Sequence, residues 1–134
     1  MKRPDALGHL WHVALRVRDL AACERFYVEL LGMTVEWRPD ADNLYLTSGR
    51  DNLALHRADL DSTDAQTLDH IGFVLPTAAA VDAWHAYLQH HGVTIAQAPK
   101  THRDGARSFY CRDPASNLVQ LIYHPPLAAR AASA

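Results

Sequence analysis

Cysteine is scarce in this sequence. Only two occur among its 134 residues, Cys23 and Cys111, and neither belongs to a C-x-x-C pair. Two cysteines are too few for the disulfide framework on which small secreted folds depend, and the missing pair argues against a redox motif. We therefore expect both cysteines to be small apolar residues packed in the interior.

Long apolar runs and runs of one charge are absent as well. No apolar run approaches the ~20 residues that a membrane-spanning helix needs, and no apolar segment follows the basic start at residues 1–5. The formal net charge is −2 without a basic run, so the usual footprint of a nucleic-acid partner is missing. We expect a cytoplasmic protein that binds neither nucleic acid nor membrane. With 49% hydrophobic and 21% charged residues, its composition is that of an ordinary soluble globular domain.

The second half of the chain loosely repeats the first. Each half opens with a strand-like segment led by a histidine, His12 in the first half and His70 in the second. An amphipathic helix, a glycine with a valine close behind, and further strand-like segments follow in both halves. This duplication predicts one domain, 1–134, made of two βαβββ modules at about 9–58 and 68–125, with a frayed tail at 126–134.

The spacing of apolar residues places the elements of each module. Asp19 is the expected N-cap of the first helix and Gly32 its end, whereas the polar stretch 99–105 and residues 39–43 are expected to be a loop and a turn. The predicted fold class is α+β, with helices covering the outer face of a curved, mostly antiparallel sheet. The predicted strands are 11–17, 33–37, 44–47 and 52–57 in module one, and 68–75, 93–96, 106–111 and 118–124 in module two.

The alternation of side chains assigns the strand residues to two faces. If the aliphatic residues lie beneath the helices, the opposite face carries a histidine from three strands and a glutamine from the last. Two histidines at matched repeat positions favour a metal or substrate site over ordinary half-buried sheet histidines. Arg107 and Tyr110 alternate, so at most one of them lines this face. The candidate residues on it are His12, Arg16, His56, His70 and Gln120.

At these residues the chain resembles the vicinal oxygen chelate superfamily, which includes glyoxalase I, extradiol dioxygenases, fosfomycin-resistance proteins and bleomycin-binding proteins. The segment His12–Leu20, followed by Phe26–Tyr27 and Leu30–Met33, is similar to the opening signature of that family. Asp113–Asn117 and the following Val119–Ile122 are similar to its closing signature. The likeness spans about residues 9–125 and is specific for the fold rather than the reaction, because this scaffold hosts different chemistries.

The resemblance implies a homodimer and a divalent metal ion, Zn, Ni, Fe or Mn. Carried over residue by residue, it implies His12, His70 and Gln120 as the ligands, with a fourth position that aligns with either Ala54 or His56. The last strand of such proteins usually supplies a glutamate, and here it supplies Gln120. The fourth strand also lacks a carboxylate.

We therefore expect a small metal-dependent enzyme that acts on vicinal oxygens of a small organic substrate, as an isomerase, lyase or dioxygenase. A base for this chemistry is either a metal-bound hydroxide, since a divalent metal brings the pKa of its water to ~7, or neutral His56. Arg16 and His56 are the candidate substrate-binding residues, although a rim salt bridge is an alternative for Arg16. The rival class, favoured by the missing carboxylate, is a metal-free small-molecule binder of the bleomycin-resistance type.

Overall fold

The computed structural model describes Met1, residues 10–59, Leu68, residues 70–126 and Ala128. The chain divides into two compact units, Met1–Leu60 and Asp61–Ala134. Each unit holds one four-stranded mixed sheet and its own helix. The predicted α+β fold with two βαβββ modules is confirmed. Most of the tail predicted at 126–134 lies outside the described residues.

Unit 1 contains a sheet in the order β1-β4-β3-β2. The edge strand β1 runs parallel to its neighbour β4, and the other two pairs are antiparallel. One helical segment, α1, connects β1 to β2 and continues directly as a π-helical stretch. The bounds are β1 (His12–Val17), α1 (Leu20–Glu24), the π-helical stretch (Arg25–Leu30), β2 (Thr34–Asp40), β3 (Asn43–Thr47) and β4 (Asn52–Arg57).

Both ends of this helical segment follow from the local sequence. The backbone N–H of Ala22 donates to Asp19 Oδ1 at 2.9 Å, which satisfies one of the N–H groups that the first turn leaves unpaired. At the other end Gly32 adopts a φ of 82°, and the N–H of Met33 donates to the carbonyl of Tyr27 at 2.9 Å. A left-handed residue that closes such a bond is the usual helix end, and glycine adopts it without strain.

Unit 2 repeats this plan with the sheet order β5-β8-β7-β6, in which β5 and β8 run parallel. Its helix, α2, packs against β6, β7 and β8. The Thr77 hydroxyl caps the helix by accepting from the N–H of Ala80 at 3.1 Å. The bounds are β5 (Ile71–Val74), α2 (Ala78–His90), β6 (Ile95–Thr101), β7 (Arg107–Arg112) and β8 (Leu118–Tyr123).

The two outer strands differ from the prediction in the same way. The turn predicted at 39–43 and the loop predicted at 99–105 both begin too early, because β2 continues to Asp40 and β6 to Thr101. Each extension includes a proline, a residue that in a sequence usually indicates the end of a strand. Both strands lie at the outer edge of their sheet, where a residue without an N–H is tolerated.

Each sheet has one face buried beneath its helix and one open face. Alternate residues of the central strands are buried, whereas the residues between them are mostly half-buried or exposed, which is the pattern of a sheet covered on one side. No helix in the described part of the chain is long and apolar enough to cross a membrane. The buried strand residues of the covered faces are Leu15, Val17, Leu44, Leu46, Leu53 and Leu55 in unit 1, and Phe109, Cys111, Val119 and Leu121 in unit 2. On the other face, the small residues Ala54 and Ser108 are buried as well.

Neither cysteine forms a disulfide bond, and both are completely buried. Burial, assisted by the nearby charge of Asp113, raises the pKa of the Cys111 thiol to about 12. Since the thiolate is the reactive form, we expect neither cysteine of the native protein to react with Ellman's reagent at mildly alkaline pH, and both to react in guanidinium chloride. The variant Gln89→Cys, on the exposed side of α2, is the positive control. Fast labelling of native Cys111 would contradict this assignment.

Candidate functional site

The open face of unit 1, which lies opposite its buried face, carries three of the candidate residues. Arg16 and His56 are register neighbours on the parallel strands β1 and β4, and His12 is the neighbour of Asn52 on the same two strands. His12 and Arg16 are exposed, and His56 is half-buried. Side-chain alternation therefore brings a guanidinium and two imidazoles to one surface of this sheet.

His56 is hydrogen-bonded within a group that the sequence analysis did not find. Its Nδ1 lies 2.5 Å from Oδ1 of Asn43, the register partner of His56 on β3. The Nδ2 of Asn43 in turn donates to the two carboxylate oxygens of Asp40, at 2.8 and 3.0 Å. The backbone N–H of Asp42 also donates to this carboxylate at 2.8 Å. These donors, Asp42 first and then the Asn43 amide, hold the pKa of Asp40 below its usual range.

His12 has partners of the same kinds. Its Nδ1 lies 2.7 Å from Oδ1 of Asn52, and Nδ2 of Asn52 donates to Oε2 of Glu36 at 3.5 Å. An irregularity in β2 between Val35 and Trp37 interrupts the alternation and lets Glu36 reach a residue of the open face. Alternation alone could have revealed Asn52, which is in phase with His56 on β4. It could not have revealed Glu36, because the sequence does not show the irregularity.

Aromatic side chains lie beside His56 on the same face. The ring of Tyr45 meets the His56 ring edge to face, with centroids 5.9 Å apart. Trp37 stacks on the other side of Tyr45 at 5.2 Å, and 58% of its surface stays exposed. The imidazole therefore has an apolar wall on one side and Arg16 as its strand neighbour on the other.

The open face of unit 2 carries the other two candidate ligands. Gln120 on β8 is the register neighbour of Gly72 on β5, and its Oε1 would lie 3.6 Å from a Cβ at that glycine. His70 directly precedes β5, and its ring meets the Tyr110 ring edge to face at 5.4 Å. Tyr110 is in turn the register partner of Gln120. An imidazole, a phenol and an amide therefore share one surface of this sheet.

Arg107 belongs to the opposite face of β7. Its guanidinium donates to both carboxylate oxygens of Asp82 on α2, at 2.6 to 3.2 Å, and these bonds lower the pKa of Asp82. Of the two residues that the sequence left as alternatives, Tyr110 is therefore the one on the open face.

The strand registers distinguish the two alignments of the fourth candidate position. Two residues after His70, Gly72 pairs with Gln120. Two residues after His12, Ala14 pairs with Ala54. The counterpart of Gln120 in unit 1 is therefore Ala54, whose methyl group cannot bind a metal, and His56 lies two residues further along its strand.

The chemistry of the donor atoms suits a borderline divalent ion. Imidazole nitrogens and an amide oxygen are ligands that such ions accept. Because Oδ1 of Asn52 only accepts hydrogen bonds, its contact with Nδ1 of His12 leaves Nε2 of that ring for a metal. Within the described residues no three His, Cys, Asp or Glu side chains form a group that could hold a metal ion. His12 belongs to one unit, and His70 and Gln120 to the other.

The pH dependence of protein stability tests whether the ionised carboxylate of Asp40 stabilises this site. A folded-state pKa below the unfolded value of about 3.9 contributes stability that is present above that value and is lost as the pH falls through the folded pKa. We expect Asp40→Asn to lower the free energy of unfolding at neutral pH and to have a progressively smaller effect in acid. Urea denaturation at several pH values measures this difference.

The matched control is Asp59→Asn, because the side chain of Asp59 is 96% exposed. This substitution is expected to change stability little at any pH. A destabilisation by Asp40→Asn that stays the same from neutral to acidic pH would show that the charge of Asp40 is not what stabilises this turn.

Comparison with known proteins shows which family has a similar sequence and fold. Residues 9–121 match the family model of the Glyoxalase/Bleomycin resistance protein/Dioxygenase superfamily. A lactoylglutathione lyase from Agrobacterium tumefaciens has a similar structure, with a TM-score of 0.71, 26% identity, and coverage of 91% of this chain and 96% of that one.

Two further crystal structures support the fold alone, because their sequences are less similar. A glyoxalase/bleomycin resistance protein/dioxygenase from Alicyclobacillus acidocaldarius has a TM-score of 0.70 and 23% identity, over 87% of this chain and 92% of that one. A glyoxalase-related enzyme from Fulvimarina pelagi has a TM-score of 0.73 and 17% identity, over 89% of this chain and 90% of that one.

Proposed function

Because the chain belongs to the Glyoxalase/Bleomycin resistance protein/Dioxygenase superfamily, we propose that it is a metal-dependent isomerase or lyase. It would act on a small organic substrate with oxygen atoms on adjacent carbons and move a proton between those carbons. The observation that carries this proposal is the matched placement of donor side chains on the open face of each unit. His12 lies on that face of unit 1, and Gln120 lies on that face of unit 2 beside the strand that follows His70.

His12, His70 and Gln120 would hold the divalent ion, Zn, Ni, Fe or Mn. Members of this superfamily commonly use divalent metals, and such an ion supplies a Lewis acid that polarises the vicinal oxygens of the substrate. The proposal requires the open faces of the two units to meet, either within one chain or across a homodimer. A ligand set of two imidazoles and one amide carries no negative charge, so the ion would keep its full charge toward the substrate.

His56 would be the base that takes the proton. It is half-buried, which shields it partly from water, and its ring is held by Asn43 and bordered by Tyr45. Imidazole is the side chain best suited to proton transfer near neutral pH. Arg16, its exposed neighbour on β1, would bind an anionic group of the substrate.

Among the reactions considered for this fold, proton transfer fits the donor set better than dioxygenation. Extradiol dioxygenases bind Fe(II) through two histidines and one carboxylate, whereas here the last strand supplies an amide and Ala54 occupies the matching position in unit 1. A held imidazole is the group that an isomerase or lyase needs. The likeness to a lactoylglutathione lyase makes hemithioacetals of α-ketoaldehydes a reasonable first class of substrate.

A metal-free binding protein is the second candidate, and one observation favours it. Neither Gln120 nor Ala54 provides an anionic ligand, so metal affinity would depend on neutral donors. In that case the same open faces, with Trp37 and Tyr45 stacked on one of them, would bind a small molecule without reacting with it.

Metal analysis separates these two functions. Protein that has been stripped with a chelator and reloaded is expected to bind about one divalent ion per chain, as a dedicated site does. His12→Ala and Gln120→Ala each remove a ligand and are expected to lower the bound metal to background in elemental analysis. Gln97→Ala, which removes an exposed amide from β6, should leave it unchanged. Wild-type protein that binds no ion at saturating metal would instead support the metal-free function.

Replacing the base tests the reaction itself. With hemithioacetals and catechols assayed side by side, we expect isomerisation rather than uptake of oxygen. His56→Gln keeps a polar side chain of similar reach but has no basic nitrogen, and it is expected to lower kcat by about 10²- to 10⁴-fold. His90→Gln, at the exposed end of α2, is the control. Unchanged turnover in His56→Gln, or oxygen uptake with catechols, would argue against the proposed role of His56.

A further inference from the structure

We propose that Asn43 and Asp40 are positioning residues that hold neutral His56 in a single tautomer, with the hydrogen on Nδ1 and the lone pair on Nε2. This inference rests on the proposed function only where it takes His56 as the base. The tautomer itself is a property of the protein without metal or substrate, so it can be measured separately.

Asp40 fixes the orientation of the Asn43 amide. An ionised carboxylate only accepts hydrogen bonds, whereas an amide has one donating and one accepting end. Asp40 already accepts from the backbone N–H of Asp42, and these bonds hold its pKa low enough for the carboxylate to be ionised at neutral pH. The Nδ2 end of Asn43 contacts both oxygens of Asp40. The reversed amide would direct its own oxygen at two carboxylate oxygens, so the charge of Asp40 selects the observed orientation.

The oriented amide in turn determines which nitrogen of the His56 imidazole carries the hydrogen. With Nδ2 directed at Asp40, Asn43 presents Oδ1 to Nδ1 of His56, 2.5 Å away. An amide oxygen cannot donate, so Nδ1 must carry the hydrogen. Neutral imidazole has only one N–H, so Nε2 keeps the lone pair. Since both side chains project from paired positions on β3 and β4, the backbone ladder keeps donor and acceptor in register.

This tautomer determines which nitrogen of His56 can act as a base. A general base acts through the nitrogen that carries the lone pair, and neutral imidazole in water favours the opposite tautomer, with the hydrogen on Nε2. Asn43 and Asp40 would therefore keep the outer nitrogen of His56 ready to take a proton. The edge of Tyr45 against the ring limits its rotation away from Asn43.

The same order of groups occurs a second time on this face. His12 contacts Asn52, and Asn52 contacts Glu36, at 2.7 and 3.5 Å. The outer contact is longer than its counterpart between Asn43 and Asp40, so the carboxylate should orient Asn52 less firmly. This second group provides a matched control within the same protein.

The test is NMR of protein labelled with ¹⁵N-histidine, in the metal-free state and at a pH where the rings are neutral. Two-bond ¹H–¹⁵N correlations distinguish the tautomers, and His56→Gln assigns the signals. We expect His56 to be almost entirely in the Nδ1–H form in the wild type and mostly in the Nε2–H form in Asn43→Ala. Asp40→Asn should give a mixture, because a neutral amide at position 40 presents either end to Asn43.

Two further variants separate positioning from a loss of structure. The exchanged pair Asp40→Asn/Asn43→Asp keeps a donating amide at position 40 and an accepting oxygen beside His56, and it is expected to retain the Nδ1–H form. Asn52→Ala, the matched change in the second group, should leave the His56 signals unchanged. A wild-type His56 in the Nε2–H form, or a tautomer that does not respond to Asn43→Ala, would overturn the inference.

The outcome is also distinguishable from failure of the proposed function. If His56→Gln retains full turnover while the wild-type ring is in the Nδ1–H form, the tautomer inference stands and the role of His56 as base falls. If His56→Gln is inactive while the wild-type ring shows no fixed tautomer, His56 remains the base, and Asn43 and Asp40 are not its positioning residues.

Discussion

The structure depends most on the alternation of side chains along strands that are buried on one face only. Leu15 and Leu55 are buried on one face of the sheet in unit 1, so Arg16 and His56, one residue further along each strand, must project from the opposite face. The same constraint applies in unit 2, where the buried pair Phe109 and Leu121 fixes the face of Tyr110 and Gln120. A slip of one residue in either ladder would bury these polar groups and expose the leucines. Core packing and the placement of the polar face are therefore one and the same requirement.

This coupling explains what could be predicted from the sequence. β4 has the predicted bounds, and Asp19 caps the first helix as expected, because apolar alternation and capping are local signals. The outer strands β2 and β6 were predicted too short, since proline marks a break in the sequence but is tolerated at a sheet edge. The partners of the histidines were missed for a different reason. Asn43 appeared to be a turn residue, and its contact with His56 exists only once β3 and β4 have paired.

This chain departs from the pattern of glyoxalase-like proteins in the charge of the residues at the proposed ligand positions. The positions that correspond across the two units hold Gln120 and Ala54, so the proposed ligand set contains no anionic group. On the open face of unit 1, each carboxylate contacts an asparagine that in turn contacts a histidine. Asp40 is linked in this way to His56, and Glu36 to His12. In the proposed site the negative charge would orient the imidazoles through amides and would not bind the ion itself. Such a site favours proton transfer by a held base over chemistry that needs an anionic metal ligand.

The central proposal is that His12, His70 and Gln120 bind one metal ion. Anomalous diffraction from crystals grown with Zn²⁺, Ni²⁺, Fe²⁺ or Mn²⁺, collected at the absorption edge of the metal, tests it most directly. The account predicts one strong anomalous peak bound by Nε2 of His12 together with His70 and Gln120, from one chain or from two. A fully loaded crystal in which these three side chains are remote from one another, or in which the metal lies elsewhere, would contradict it.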